Sequence, residues 1–421
     1  GLVSVSGLPK ARLGEIILFE SGEFGQVLTL KHETVEVLTF SKKQVVVGTR
    51  ATRTNELLQI PVSPQLLGHT VDPLGNLTDA SVYKPKSFRS IDSNPLGIAA
   101  RKRIDKPLAT GVSLVDLVIP LGRGQRQLIL GDRKTGKTKF LLQLLLTQAR
   151  EGNIAIYAAI GKRQLDIKNI EAFLASHRIA NNTVIVASHA QDPAGIIMLT
   201  PFSAMTLAEY FRDEGRDVLV ILDDLTTHAK FYREIALLAK RFPGRNSYPA
   251  DIFSVHARLL ERAGNFKMKN GESAISCLPV VETTQGDLTG YLQTNVMSMT
   301  DGHIFFDSDL FSKGRRPAIN PFLSVTRVGR QTQAKLKREM QREITVALAL
   351  FEKTERFTHF GAELSEGVKL SLSLGENIVS FFDQTPETVI PPNVQVVQFS
   401  MLWQGLWQQK GISKMRSDME K

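Results

Sequence analysis

Residues 131–138 read Gly-Asp-Arg-Lys-Thr-Gly-Lys-Thr, a complete GxxxxGK[ST] pattern, with an apolar run at 127–130 before it and a helix-like stretch at 137–150 after it. No other segment restricts the fold as much. The glycines let successive backbone N–H groups converge on polyphosphate, the lysine reaches the outer phosphates, and the final threonine can ligand magnesium. This works only if a buried strand delivers the loop and a helix begins at its end, so the pattern implies an α/β unit with a parallel sheet. Gly131, Asp132, Arg133, Lys134, Thr135, Gly136, Lys137 and Thr138 are therefore candidate nucleotide-binding residues.

A loop of this class needs a carboxylate at the end of a neighbouring strand to hold the metal, directly or through water. Asp217-Val-Leu-Val-Ile-Leu-Asp-Asp224 supplies one. Five consecutive apolar residues suit a strand buried on both faces, and Asp223 stands where it emerges. The expected metal ligands are thus Thr138 and Asp223. An Asp-Asp pair in this place also suits a helix cap.

The remaining pattern divides 421 residues into three parts. Residues 1–54 alternate in short apolar segments (15–19, 25–30, 34–40 and 44–48), which predicts a small antiparallel barrel or sandwich. Residues 55–333 hold the loop and candidate strands at 126–130, 154–160, 183–187, 217–222, 277–281, 303–306 and 322–326, with helical patterns between several of them. From 334 to 421 the spacing of Leu336, Met340, Ile344, Ala347, Leu348 and Phe351 predicts an amphipathic helix opening a helical domain.

No stretch approaches 18 uninterrupted apolar residues, and no signal-peptide pattern opens the chain. The single cysteine, Cys277, excludes an internal disulfide and a cysteine-based zinc site. A net charge of +10 raises the question of nucleic acid, because Lys84, Lys86, Arg89, Arg101, Lys102, Arg103 and Lys106 crowd one stretch. Only Tyr83 and Phe88 accompany them, so no stacking platform for bases is evident and no nucleic-acid partner is expected.

The segment Gly122-Arg-Gly-Gln-Arg-Gln-Leu-Ile-Leu-Gly-Asp-Arg-Lys-Thr-Gly-Lys-Thr138 closely resembles the phosphate loop of F-type ATP synthase alpha subunits. So do Glu209-Tyr-Phe-Arg-Asp213, Pro243-Gly-Arg245, Arg258-Leu-Leu-Glu-Arg-Ala263, the 294–302 segment, Arg316-Pro-Ala-Ile-Asn320 and Ser324-Val-Thr-Arg-Val-Gly329. The resemblance implies a RecA-like P-loop nucleotide-binding domain between an N-terminal β-barrel and a C-terminal helical domain. It implies ATP and Mg2+ as ligands and an alternating hexamer with beta subunits. A central gamma shaft, a peripheral stalk and an ion-translocating membrane sector complete the assembly. The corresponding location is the cytoplasmic face of a bacterial cell membrane or, alternatively, the matrix face of the mitochondrial inner membrane.

Alpha subunits of this family bind ATP without hydrolysing it, so Arg327 is expected to serve the neighbouring beta site with Ser298 beside it. A guanidinium suits that task because it stays charged and bridges phosphoryl oxygens. Gln384 is the expected adenine contact.

Some residues depart from the family pattern. Lys162 stands where beta subunits carry the water-activating glutamate and most alpha subunits a glutamine, and a protonated ammonium cannot act as that base. Lys134 replaces the usual glutamine and Asn246 the usual glutamate after Pro-Gly-Arg. The C-terminal domain is shorter than the family's, as in a fragment or a trimmed lineage. The rival reading is a hexameric RNA translocase similar to the termination factor Rho, against which Lys162 and the lack of a basic-aromatic platform both stand.

Overall fold

The computed structural model describes residues 1–79, 83–85, 87–269, 271–358, 366–407 and 418. Lys86 of the basic stretch and part of the C-terminal region lie outside them.

A five-stranded antiparallel sheet opens the chain, formed by Leu2–Ser6, Glu15–Phe19, Phe24–Leu30, Thr34–Thr39 and Ala51–Leu57. It closes over a small core of Ile17, Phe19, Val27, Val35 and Val37. Irregular register in two of its ladders bends the strands around that core. The apolar run at 44–48 is not a strand, contrary to its pattern, and Val46 and Val47 face solvent. The fifth place is taken by Ala51–Leu57, which pairs with Glu15–Phe19 and carries Arg53 to the buried carboxylate of Glu15 at 2.9 Å. This strand extends past residue 54, where the sequence pattern had placed the domain boundary.

The central sheet has ten strands. Its main path runs Val325–Thr326, Gly302–Phe306, Leu128–Gly131, Gly271–Glu282, Val218–Asp223, Ile154–Lys162, Thr183–His189 and Thr70–Val71. Most neighbours are parallel, so their carboxyl ends meet on one edge. The 322–326 segment departs from expectation: only Val325–Thr326 is extended, and it runs antiparallel at the sheet margin. Gly264–Met268, which the apolar pattern did not reveal, pairs antiparallel with Gly271–Glu282. Cys277 is fully buried, and burial pushes its thiol up to about 12.

Helices pack both faces. Ala194–Asp213 is long and apolar enough to cross a membrane by length and composition, yet it is mostly buried against the sheet. Its Glu209 accepts from the fully buried guanidinium of Arg262 at 3.1 and 2.6 Å and from Ser93 Oγ at 2.8 Å. Arg262 also donates to Thr206 Oγ1 and to the Ile91 carbonyl, which satisfies most of its fork. Two of the recognised sequence segments are thus the halves of one buried ion pair.

Three side chains of the basic stretch at 84–106 also find acidic partners within the chain. Arg89 meets Asp213 at 2.6 Å, while Lys102, at 3.2 Å, and Lys106 both meet Glu272.

Beyond Thr332 the chain becomes helical: Lys335–Thr358, Glu366–Phe381 and Pro392–Trp403. Met340, Ile344, Leu348 and Phe351 are buried, whereas Leu336 is exposed. The helical part docks through polar contacts. Gln395 donates to the buried carboxylate of Asp116 at 2.9 Å, and Gln341 donates to the Val118 carbonyl at 2.5 Å.

Breaking a buried pair strands a charge away from water, at a cost of about 3–5 kcal/mol. Arg262→Ala is expected to lower stability by that amount in urea unfolding. The double variant Arg262→Met, Glu209→Leu should recover most of it. A loss below about 1 kcal/mol for Arg262→Ala would show that water solvates the pair.

Candidate functional site

Gly131 ends the Leu128–Gly131 strand, and Lys137 begins the Lys137–Arg150 helix, so residues 132–136 form the expected loop. The tight path uses left-handed backbone at Gly136 (φ 98°) and at Lys134 (φ 64°). The first is natural for glycine, and the second imposes a strained conformation on a long basic side chain. Thr135 donates to the Asp132 carbonyl at 2.8 Å, and Lys137 Nζ spans the loop by donating to the carbonyls of Gly131 and Asp132. Burial lowers the Lys137 pKa, and the carboxylates of Glu282, Asp223 and Asp224 oppose that shift.

Asp132 belongs to the loop but does not point at a ligand. Its carboxylate accepts from Thr283 Oγ1 at 2.5 Å, Gly286 N–H at 3.1 Å and Ser308 Oγ at 2.9 Å. Partial burial alone would raise its pKa, but these donors and Lys137 hold it below the usual carboxylate range. Asp132 therefore anchors the loop to two neighbouring connections, a role its place in the motif did not reveal.

The pocket beside the loop has a volume of about 360 Å³, within the usual range for small-ligand sites. Six basic side chains line it (Arg133, Lys134, Lys137, Lys139, Lys162, Arg316) against three acidic ones (Asp223, Asp224, Glu282). Thr138 lines it as expected. Glu282 arrives because Gly271–Glu282 pairs in register with Gly131, and its carboxylate takes the Arg133 guanidinium at 2.9 Å.

Asp223 and Asp224 divide their work. Asp224 caps the Leu225–Leu238 helix, accepting from Thr227 N–H at 2.6 Å. Asp223 faces the pocket, but both of its oxygens are engaged: Oδ2 accepts from Tyr157 Oη at 2.6 Å and Oδ1 from Lys162 Nζ at 2.8 Å. Lys162 Nζ also lies 3.3 Å from Asp224 Oδ2. A bulge between Ala159 and Lys162, with Gly161 at φ 58°, turns the end of this strand toward its neighbour. Burial alone would lower the Lys162 pKa, and the two carboxylates raise it well above the usual lysine range, so the side chain is a cation at neutral pH.

The donor set therefore does not fit a magnesium ion held between Thr138 and Asp223. Each Asp223 oxygen keeps a lone pair, but the ion would have to sit against the Lys162 ammonium bonded to Oδ1, and like charges repel.

The other expected residues fall elsewhere. Gln384 is on the pocket wall, but its amide nitrogen donates to the carbonyls of Gly111 (2.7 Å) and Thr388 (2.6 Å), and its oxygen accepts from Ser113 N–H at 3.0 Å. Asn246 is exposed and does not line the pocket. Arg327 and Ser298 are exposed and also do not line it. Arg327 N–H donates to the Asp301 carbonyl, which sets it on the same margin as the segment that carries Ser298. Thr326 pairs with Gly302, whereas Gly131 pairs with Phe306 at the other end of that strand. At ~3.3 Å per residue this puts Arg327 at least about 13 Å along the strand direction from the loop.

Residues 111–326 match the ATP synthase alpha/beta family nucleotide-binding domain, and residues 333–420 match the C-terminal domain of ATP synthase alpha/beta chains. The chain belongs to the ATP synthase alpha/beta family. It is 38% identical over 418 residues to ATP synthase subunit alpha of Dictyoglomus turgidum, covering 99% of this chain and 82% of that protein. The alpha subunit of Dictyoglomus thermophilum matches to the same extent. Within this family fold, the site unites the phosphate loop, Asp223 and Lys162, and keeps Arg327 and Ser298 apart from them.

Because Asp132 holds the loop in shape, Asp132→Ala is expected to weaken nucleotide binding by about tenfold, the equivalent of about 1.4 kcal/mol. The global unfolding midpoint should change little. Calorimetric titration with ATP, alongside urea unfolding, checks both, and unchanged affinity would remove Asp132 from the support of the loop.

Proposed function

We propose that this chain is the non-hydrolysing, nucleotide-binding alpha-type subunit of a bacterial rotary ATP synthase, alternating with beta-type subunits in a hexameric ring. The observation that carries this reading is Lys162. The phosphate loop is intact, yet the side chain at the end of the adjacent strand is an ammonium bound to Asp223 and Asp224. Hydrolysis needs a group that accepts a proton from water or orients it for attack, and a protonated lysine held by two carboxylates does neither.

The ligand of this site is ATP, bound through the loop N–H groups, Lys137 and Thr138. Arg327 acts at a different site, that of the neighbouring beta-type subunit, with Ser298 beside it. Its exposure at the sheet margin and its distance from the chain's own loop support that role. The ring would work with a central shaft, a peripheral stalk and a proton-translocating membrane sector, at the cytoplasmic face of the cell membrane. Against the rival translocase reading, Arg89, Lys102 and Lys106 of the basic stretch are already paired with Asp213 and Glu272.

The isolated chain is expected to bind ATP, lose that binding in Lys137→Ala, and show no turnover above background. Robust hydrolysis by the pure chain that disappears with Lys137→Ala would overturn the non-hydrolysing assignment.

Arg327→Ala is expected to leave nucleotide binding to this chain intact. In a reconstituted ring with beta-type subunits it should lower multisite turnover by about 10³–10⁵, the range for arginines that stabilise phosphoryl transfer. Lysine at this position should restore little, because it lacks the planar fork. Near-normal turnover in an assembled ring would remove Arg327 from the mechanism.

A further inference from the structure

The strand ends beside the phosphate loop present a charge arrangement that the family pattern does not explain. Asp223 and Asp224 would place two negative charges against a polyphosphate, and a divalent cation ordinarily offsets such a carboxylate. Here Lys162 Nζ lies within 2.8 Å of one and 3.3 Å of the other. Tyr157 Oη holds the other oxygen of Asp223 at 2.6 Å, which fixes the carboxylate's orientation beside the ammonium. The ammonium is also tethered: it extends from a strand end shaped by a bulge, and its side chain is only 22% exposed.

A metal entering beside Asp223 would have to expel this cation from two partners or sit against it. The first strands a charge in a poorly solvated place, and the second sets like charges side by side. Meanwhile Lys162 and Lys137 line the same pocket as the loop, so the charge needed by the phosphates is already built in.

We propose that this site binds a nucleoside triphosphate as the metal-free anion, with the Lys162 ammonium standing in place of the divalent cation between Asp223 and the phosphates. The proposal rests on the nucleotide-binding reading above and specifies the form in which the ligand is taken. It also accounts for why an intact loop coexists with a carboxylate already paired with a cation. The site should then be indifferent to the magnesium level around it, unlike a neighbour that uses Mg-ATP for chemistry.

The test is calorimetric titration of the full-length chain with ATP in excess EDTA and in millimolar MgCl2, with circular dichroism confirming the fold of each variant. The expected result is a Kd that differs by less than threefold between the two conditions. Lys162→Gln, which removes the charge but keeps the length and polarity, should lose at least tenfold in EDTA and regain most of it with magnesium. Lys162→Arg should behave like the wild type. A wild-type loss of more than threefold on chelation overturns the proposal while leaving the nucleotide reading intact. So does a Lys162→Gln variant no more sensitive to chelation than the wild type. Absence of binding in both conditions overturns the nucleotide reading and the proposal with it. Should Lys162→Gln fail to fold, the wild-type comparison still decides the matter, and Lys162→Met supplies the uncharged control.

Discussion

The ion pair between Lys162 and the Asp223–Asp224 carboxylates governs what this site can do. Two unit charges about 4 Å apart interact by roughly 4 kcal/mol at an effective dielectric near 20, far more than in bulk water. A cation fixed there is therefore a permanent part of the pocket and not a passing surface contact. It stands at the strand end beside the phosphate loop and is bonded to the pocket-side oxygen of Asp223. It also leaves six basic groups facing the ligand space against three acidic ones. On the proposed reading, binding polyphosphate and turning it over are thereby separated.

The sheet makes that separation possible. Parallel neighbours bring Gly131, Glu282, Asp223 and Lys162 to one edge, from strands scattered over more than 150 residues. The antiparallel Val325–Thr326 strand reverses direction at the margin and carries Arg327 to the opposite end. The chain's own pocket and the exposed Arg327 thus occupy two ends of the same layer. The C-terminal part docks through a shared apolar core that includes Ile344, Phe381 and Phe399 and through Gln395 and Gln341, and it brings Gln384 to the pocket wall.

Much of this was legible in the sequence, for physical reasons. The loop and the strand ending in Asp223 have local signatures, because buried strands must be apolar and phosphate loops must be glycine-rich. The amphipathic spacing of Met340, Ile344 and Leu348 marked the helical domain equally well. Local pattern failed where a partner decides. The run at 44–48 is as apolar as a strand, but the place in the sheet goes to Ala51–Leu57, whose Arg53 pairs with Glu15. Lys162 could be flagged from its position, but its two carboxylate partners lie some sixty residues away across a sheet, beyond any local pattern. The bonds of Asp132 to Thr283 and Ser308 and of Gln384 to Gly111 and Thr388 were not legible, since side-chain direction at a loop or a domain junction depends on the neighbouring elements. Tyr157 was hidden for the opposite reason: inside an apolar run, its single hydroxyl gave no sign that it fixes Asp223.

The central claim is that this chain binds ATP in the complex without cleaving it. The most direct measurement loads a reconstituted alpha-beta ring with γ-labelled 8-azido-ATP, chases it with unlabelled ATP during steady turnover, and photolyses samples over time. The account predicts that label crosslinked to this chain remains triphosphate through many turnovers, while label on the beta-type chain is lost within one. Loss of γ-label from this chain at the turnover rate would contradict it.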